Sequence, residues 1–229
     1  MTPLFGLPVA DAAALAFSLV MWSAFAVAMD HSPWRESSLT AAVNAQRFEW
    51  MLRLTSRENR INDGSLIGNL MRSIAFFASA TIIILGGVTA SLGAIDRGYD
   101  ATRVLPFLPA VSKELFEVKL LLVGLVFIYS FFKFTWSLRQ FNYCCIILGG
   151  APSPSDPDDE KQAFAKRAAR VNELGARSFN QGLRGYYFAL ATLGWFIHPA
   201  AFAGATVWVV WILWRREFRS KTRLALRGQ

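Results

Sequence analysis

The sequence predicts an all-α fold: a polytopic membrane protein of four transmembrane helices, with amphipathic helical extensions on its cytoplasmic side. Three observations carry this. Hydrophobic residues make up 54% of the 229-residue chain. They gather into four runs, Asp11–Met29, Met71–Ile95, Phe116–Trp136 and Tyr186–Trp214, each near the ~20 residues a helix needs to cross bilayer hydrocarbon. Between the runs lie polar segments, about 40–63, 137–148 and 157–185, that carry helical periodicity. No soluble core of this length needs four such runs. The chain reads as a single membrane domain, and the expected location is the inner membrane of a bacterial cell.

The first run contains Ala26-Val27-Ala28, which looks like a signal-peptidase site. A secretory signal starts with positive charge, yet no Lys or Arg precedes Arg35, so the run is expected to stay as a helix. In the polar segment that follows, Glu49, Arg53 and Arg57 fall four apart, with Phe48, Trp50, Met51, Leu52 and Leu54 supplying an apolar side. Asp63-Gly64 reads as the stop of this helix. Such a helix suits the head-group layer, where Arg53, Arg57 and Arg60 would meet anionic lipid, or it packs on the rest of the protein.

The second run places Gly86, Ala90 and Ala94 four apart. Small faces let helices approach closely in lipid, so this helix is expected at the centre of the bundle or at a homo-oligomer interface. The connection after it holds Pro106 and Pro109 and balances its acidic and basic residues. The third helix meets no Gly or Pro between Ile128 and Leu148 and should project beyond the bilayer. Lys133 then snorkels among interfacial Phe and Trp, and Arg139 stands in head groups or water. Tyr129, Lys133, Trp136, Gln140 and Tyr143 share one face, and Thr135, Arg139 and Asn142 another.

APSPSDPDDEKQ then opens a helix, with Asp156 a possible cap and Pro157 at its first position. Its apolar face, Phe164, Ala168, Val171, Gly175 and Phe179, should pack antiparallel to the extended third helix. His198-Pro199 should kink the fourth span. Six Lys and Arg from Arg35 to Arg72 and eight from Lys133 to Arg184 fall on one side of a four-span chain. Four near Asp96–Lys119 and six in the tail fall on the other. Positive-inside counting makes the first set cytoplasmic and both termini external, against the objection of the basic tail.

Catalytic signatures are scarce. His31 and His198 are the only histidines and no metal-ligating cluster accompanies them. Cys144 and Cys145 are adjacent, a spacing that suits neither an ordinary disulfide nor a zinc site. No nucleophile elbow or phosphate loop is present. The net charge of +8 flanks spans and reads as lipid contact, with no nucleic-acid partner, metal or cofactor expected. The best candidate site is Lys133, Arg139 and Asn142, binding an anion, a lipid head group or a partner carboxylate. Asp158, Asp159, Glu160 or Glu173 are the expected carboxylates near Arg139.

The stretches RFEWMLRLTSRENRINDGSLIGNLMRSIAFFAS from Arg47, FFKFTWSLRQFNY at Phe131–Tyr143, and Asn172–Leu190 with GYYFAL resemble the membrane-protein family called domain of unknown function 599. The likeness runs from about Gln46 to Trp214. It implies about four membrane helices and brings no activity. The family pattern has Gly-Pro where this chain has His198-Pro199. With spans almost free of mid-membrane charge, a non-enzymatic scaffold, assembly factor or accessory subunit is expected. A small oligomeric transporter or channel, for an anion, is the alternative.

Overall fold

The computed structural model describes residues 7–31, 36–96, 99 and 112–228, and every element among them is a helix. These are α1 (Val9–His31), α2 (Leu39–Thr55), α3 (Ile61–Gly93), α4 (Lys113–Gly149), α5 (Asp158–Ile197), α6 (Pro199–Arg219) and α7 (Lys221–Leu226). Three helices, α1, α3 and α4, are long and apolar enough to cross a membrane. The connection holding Pro106 and Pro109 lies outside the described residues.

The axis of the molecule is the hairpin of α4 and α5. Lacking any internal Gly-Pro break, α4 runs 37 residues and α5 runs 40, so each extends well past the ~30 Å of bilayer hydrocarbon. They lie antiparallel along their length: Lys119 meets Trp195, Ser137 Oγ donates to the Gly175 carbonyl at 2.7 Å, and Cys144 packs beside Ala168. Three glycines on α5 make this close approach possible. A Cβ on Gly182 would stand 2.5 Å from the Phe134 ring, one on Gly175 would stand 2.8 Å from Phe141, and Gly185 faces Ser130. The polar segments expected at 137–148 and 157–185 are thus continuations of α4 and α5. Asp156 does not cap α5; its carboxylate accepts from Ser153 N at 2.6 Å and shapes the turn before the helix.

Helix α3 lies antiparallel to α4, with Phe77 against Phe134 and Val88 against Gly124, and it also touches α5 through Phe179 and Tyr186. Thr81 shares a hydrogen bond with Tyr186 at 2.8 Å. Its Gly86, Ala90 and Ala94 are exposed, and nothing lies within 4 Å of a Cβ built on Gly86. Within this chain the close helix contact is therefore made by α5, and the small face of α3 does not lie in the bundle's centre.

Helix α2 packs Met51 and Leu54, both fully buried, into a cluster with Phe141, Phe164 and Ala168. Of its two expected settings, the protein-packed one is found. The helix stops earlier than Asp63-Gly64. Thr55 and Ser56 hydroxyls bond back to the Leu52 and Arg53 carbonyls, ending α2. Asp63 sits buried in the first turn of α3, where Trp50 Nε1 and Arg57 Nη1 each donate to Oδ1 at 2.6 Å. The carboxylate pins the α2–α3 corner instead of closing a helix.

The largest departure concerns Tyr186–Trp214, which is not one span. His198 is extended (φ −164°, ψ 145°), its Nδ1 accepts from Ala200 N at 3.1 Å, and Pro199 opens α6. The chain then folds back: Trp195 stacks on Phe202 at 5.2 Å, and Tyr187 meets Arg216. What the proline pattern predicts as a kink is a helix reversal. Helix α6 runs parallel to α1, joined by a 2.9 Å Ser18–Thr206 hydrogen bond, and α1 runs antiparallel to α5 from Asp11–Trp195 to Asp30–Gln181. Five helices, α1, α3, α4, α5 and α6, therefore stand side by side. The basic tail returns to α2, with Arg223 and Arg227 donating to the carbonyls of Ser37 and Glu36.

Candidate functional site

At the end of the bundle that carries α2, four helices leave a cleft of about 300 Å³. Helix α1 supplies Phe25, Met29 and Asp30 to its wall, α2 supplies Asn44 and Arg47, α5 supplies Arg177, Asn180 and Arg184, and α6 supplies Leu213, Arg216 and Glu217. The reason they converge is periodicity. Arg177, Gln181 and Arg184 fall at i, i+4 and i+7 on α5, beside the strip of Gly175, Ser178, Gly182 and Gly185 that meets α4. Asp30 ends the apolar stretch of α1 and faces all three.

Asp30 is the hub. Its Oδ1 accepts from Arg184 Nη2 at 3.1 Å, its Oδ2 accepts from Gln181 Nε2 at 3.0 Å, and Arg177 lies 3.5 Å away. Arg184 is 8% exposed, and its Nη1 has no hydrogen-bond partner among the described residues. A buried guanidinium nitrogen left without a partner is a donor suited to an anion. Across the cleft, Arg47 Nη1 donates to Asn44 Oδ1 at 2.6 Å. Desolvation pushes the Arg47 guanidinium below its ordinary pKa, and the Glu173 carboxylate partly opposes this. Glu217 accepts from Thr40 N at 2.8 Å, Arg170 holds Glu173 at 2.8 Å, and Arg216 lies over the Tyr187 ring. The acids are thus engaged, and the cleft's unspent capacity is cationic.

The residues singled out from the sequence lie outside this cleft: Lys133 and Arg139 line a shallow, open pocket on α4 with Tyr129, Phe132, Thr135 and Trp136, and Asn142 is not part of its lining. Lys133 sits half-buried with its ammonium over the Tyr129 ring at 5.4 Å. Arg139 is exposed and donates to the Tyr143 hydroxyl at 3.4 Å; Asn142 is exposed. The carboxylates expected beside Arg139 are otherwise placed, Asp158 with Lys161 and Glu173 with Arg170. Gln140 is buried on Ser178, so the face it was to share with Lys133 is split. On the α2 side, Arg53 pairs with Glu49 as spacing predicts, and Arg57 with Asp63. Arg60 donates to the carbonyls of Ala151 and Pro152, closing the end of α4. Those two arginines hold corners together.

A second charged cluster lies at the opposite end. Asp11 Oδ1 accepts from Trp195 Nε1 at 2.7 Å and pairs with Lys119 Nζ at 3.4 Å, while Lys119 also donates to the Trp195 carbonyl at 2.8 Å. Both ionic side chains are buried. Asp11 and Lys119 stand at the margins of their apolar runs, so hydropathy reads them as ends of spans. The sequence signal for a pair would have been two opposite charges at matching depth, which requires the helix register. No group of three His, Cys, Asp or Glu suited to a metal ion is found among the described residues.

Fold and cleft define an all-helical protein with three membrane-length helices and a cationic pocket where the bundle ends. The chain belongs to the family described as protein of unknown function, DUF599, whose model matches residues 13–222. No curated protein and no solved structure matches it.

Proposed function

We propose that this is an integral membrane protein that works without catalysis, as a scaffold, assembly factor or accessory subunit that binds a lipid or protein partner in the charged cleft. The carrying observation is Arg184: a guanidinium almost wholly buried, committed to Asp30 on one nitrogen and without a hydrogen-bond partner on the other among the described residues. Leaving such a donor unmet in the interior is costly, and a ligand or partner anion meets it.

This reading also takes five crossings instead of four, with α5 and α6 as the last two. The six basic residues of the tail then join the six of Arg35–Arg72 and the eight of Lys133–Arg184 on one side, facing four on the other. The cleft end is cytoplasmic by the positive-inside rule, the N-terminus is outside, and the tail's objection disappears. A second copy would pack on the bare Gly86, Ala90, Ala94 face of α3.

The test is co-purification of tagged protein, gently solubilised, with Arg184→Gln and Arg139→Gln compared. Loss of a bound lipid or protein from the first variant alone is expected. Equal retention by both would remove the cleft as the working site. A transporter is the second reading, favoured by the buried Asp11–Lys119 pair, since ionisable side chains inside a bundle mark many solute and proton pathways. Ion or solute flux into proteoliposomes that vanishes with Lys119→Met would support it; no flux in wild type would end it.

A further inference from the structure

We infer that the cleft receives the head group of a monoanionic glycerophospholipid, its phosphate on the unpartnered Nη1 of Arg184 and its acyl chain along α1; this rests on the binding role proposed for the cleft. Charge selects the ligand first. Four arginines (Arg47, Arg177, Arg184, Arg216) face three carboxylates (Asp30, Glu173, Glu217), which leaves room for one negative charge. A phosphodiester carries one. With Nη2 held by Asp30, the unpartnered Nη1 of Arg184 offers a phosphate oxygen a charge-assisted hydrogen bond. Asn44, Asn180 and the carboxylate of Glu217 line the same space and suit a hydroxyl-bearing tip such as glycerol.

The walls then distinguish a lipid from a free anion. Phe25, Met29 and Leu213 give the polar cleft an apolar side built from α1 and α6. Along α1, Val27 and Ser23 follow Asp30 at i−3 and i−7, so they lie on its strip of the helix. That strip leads into a shallow exposed groove lined by Leu19, Val20, Ser23, Ala24, Val27 and Ala28. A soluble phosphate would leave both the apolar wall and the groove unused. A head group with its chain attached uses them together, polar end on Arg184 and hydrocarbon on α1.

The experiment titrates purified full-length protein in neutral detergent with four probes: short-chain phosphatidylglycerol, phosphatidylcholine of equal chain length, glycerol phosphate and inorganic phosphate. Binding is read by native mass spectrometry and by thermal midpoint. Phosphatidylglycerol is expected to bind at least ~10-fold more tightly than the other three, as one charge-assisted contact plus apolar burial implies. Arg184→Gln should weaken it by ~10-fold or more, and Arg139→Gln should not change it. Because Arg184→Gln also takes a partner from Asp30, a substitution at the exposed Ser23, Ser23→Phe, supplies a variant that spares the fold. It should weaken phosphatidylglycerol and leave glycerol phosphate as in wild type. Equal binding of the two lipids overturns the inference, as does unchanged phosphatidylglycerol binding in Ser23→Phe. Free phosphate binding as tightly as lipid overturns it too, while the cleft stays a binding site. So does an Arg184-dependent protein partner with no lipid bound. Full retention of every partner by a folded Arg184→Gln would bring down the cleft reading as well.

Discussion

Asp30 and Arg139 make a contrast that fixes what charge does in this molecule. Asp30 gathers Arg184, Gln181 and Arg177 in a partly enclosed site, so removing its charge strands a buried guanidinium. Breaking a buried pair from one side typically costs ~3–5 kcal/mol. Asp30→Asn is therefore expected to lower the thermal midpoint in detergent clearly, with Arg139→Gln indistinguishable from wild type, because Arg139 is exposed and meets only a tyrosine hydroxyl in a long contact. A scanning thermal-unfolding measurement on the two variants decides it. Lys119 follows the logic of Asp30. Lys119→Met leaves the Asp11 carboxylate buried with Trp195 Nε1 as its remaining donor, whereas the double change Asp11→Leu with Lys119→Met removes both charges. The double variant is expected to be more stable than the single one, read as midpoints on the same scale. A double variant that falls below the single would mean the pair contributes net attraction.

At the scale of elements, the α4–α5 hairpin depends on glycines that let ring and backbone meet. Gly182→Leu drives a side chain into Phe134, which is fully buried and ringed by Phe77, Phe179 and Tyr186. Overpacking of this kind costs ~1–3 kcal/mol or more, and the expected result is sharply reduced yield of folded protein by size-exclusion chromatography. Gly86→Leu, on the open face of α3, should leave the monomer's thermal midpoint unchanged, since a Cβ there meets nothing. Loss of an oligomer peak in that variant, with the monomer intact, would locate a second copy on α3. A destabilised monomer would contradict the packing described for this helix. The α5–α6 reversal has its own local cause, an extended His198 followed by a proline at the first position of α6, where the missing N–H is not needed.

For the whole molecule, helix direction decides topology. Because α6 folds back beside α5 and the tail bonds to residues 36 and 37, Gly228 and Asp63 belong to the same end. Single cysteines placed at Asp63, Ser155 and Gly228, in a background without Cys144 and Cys145, should all label from the cytoplasm, and one at Tyr99 from outside. Labelling of Gly228 with Tyr99 would restore a single crossing for Tyr186–Trp214 and refute the hairpin.

The sequence by itself determined that the chain is helical, that apolar runs of membrane length exist, and that it belongs with its family. The first two follow from composition and periodicity within one helix at a time, and the third from the resemblance of its motifs to the family's. The continuous α4 was legible because no Gly or Pro interrupts it, and the apolar face of α5 because its spacing repeats. That Lys133 and Tyr129 share a face of α4 was legible for the same local reason. The cleft was not. Asp30, Arg47, Arg184 and Arg216 come from four helices, and their meeting depends on register between helices, about which a single strand of letters is silent. Arg139 had the chemistry of an anion site but faces outward, and Arg184, counted among polar loop charges, is the one enclosed. The same reason hid the Asp11–Lys119 pair and the reversal at His198. Hydropathy sums residues along the chain, whereas the direction a helix takes after a break is set by the surface it finds to pack on, here α1 and α5.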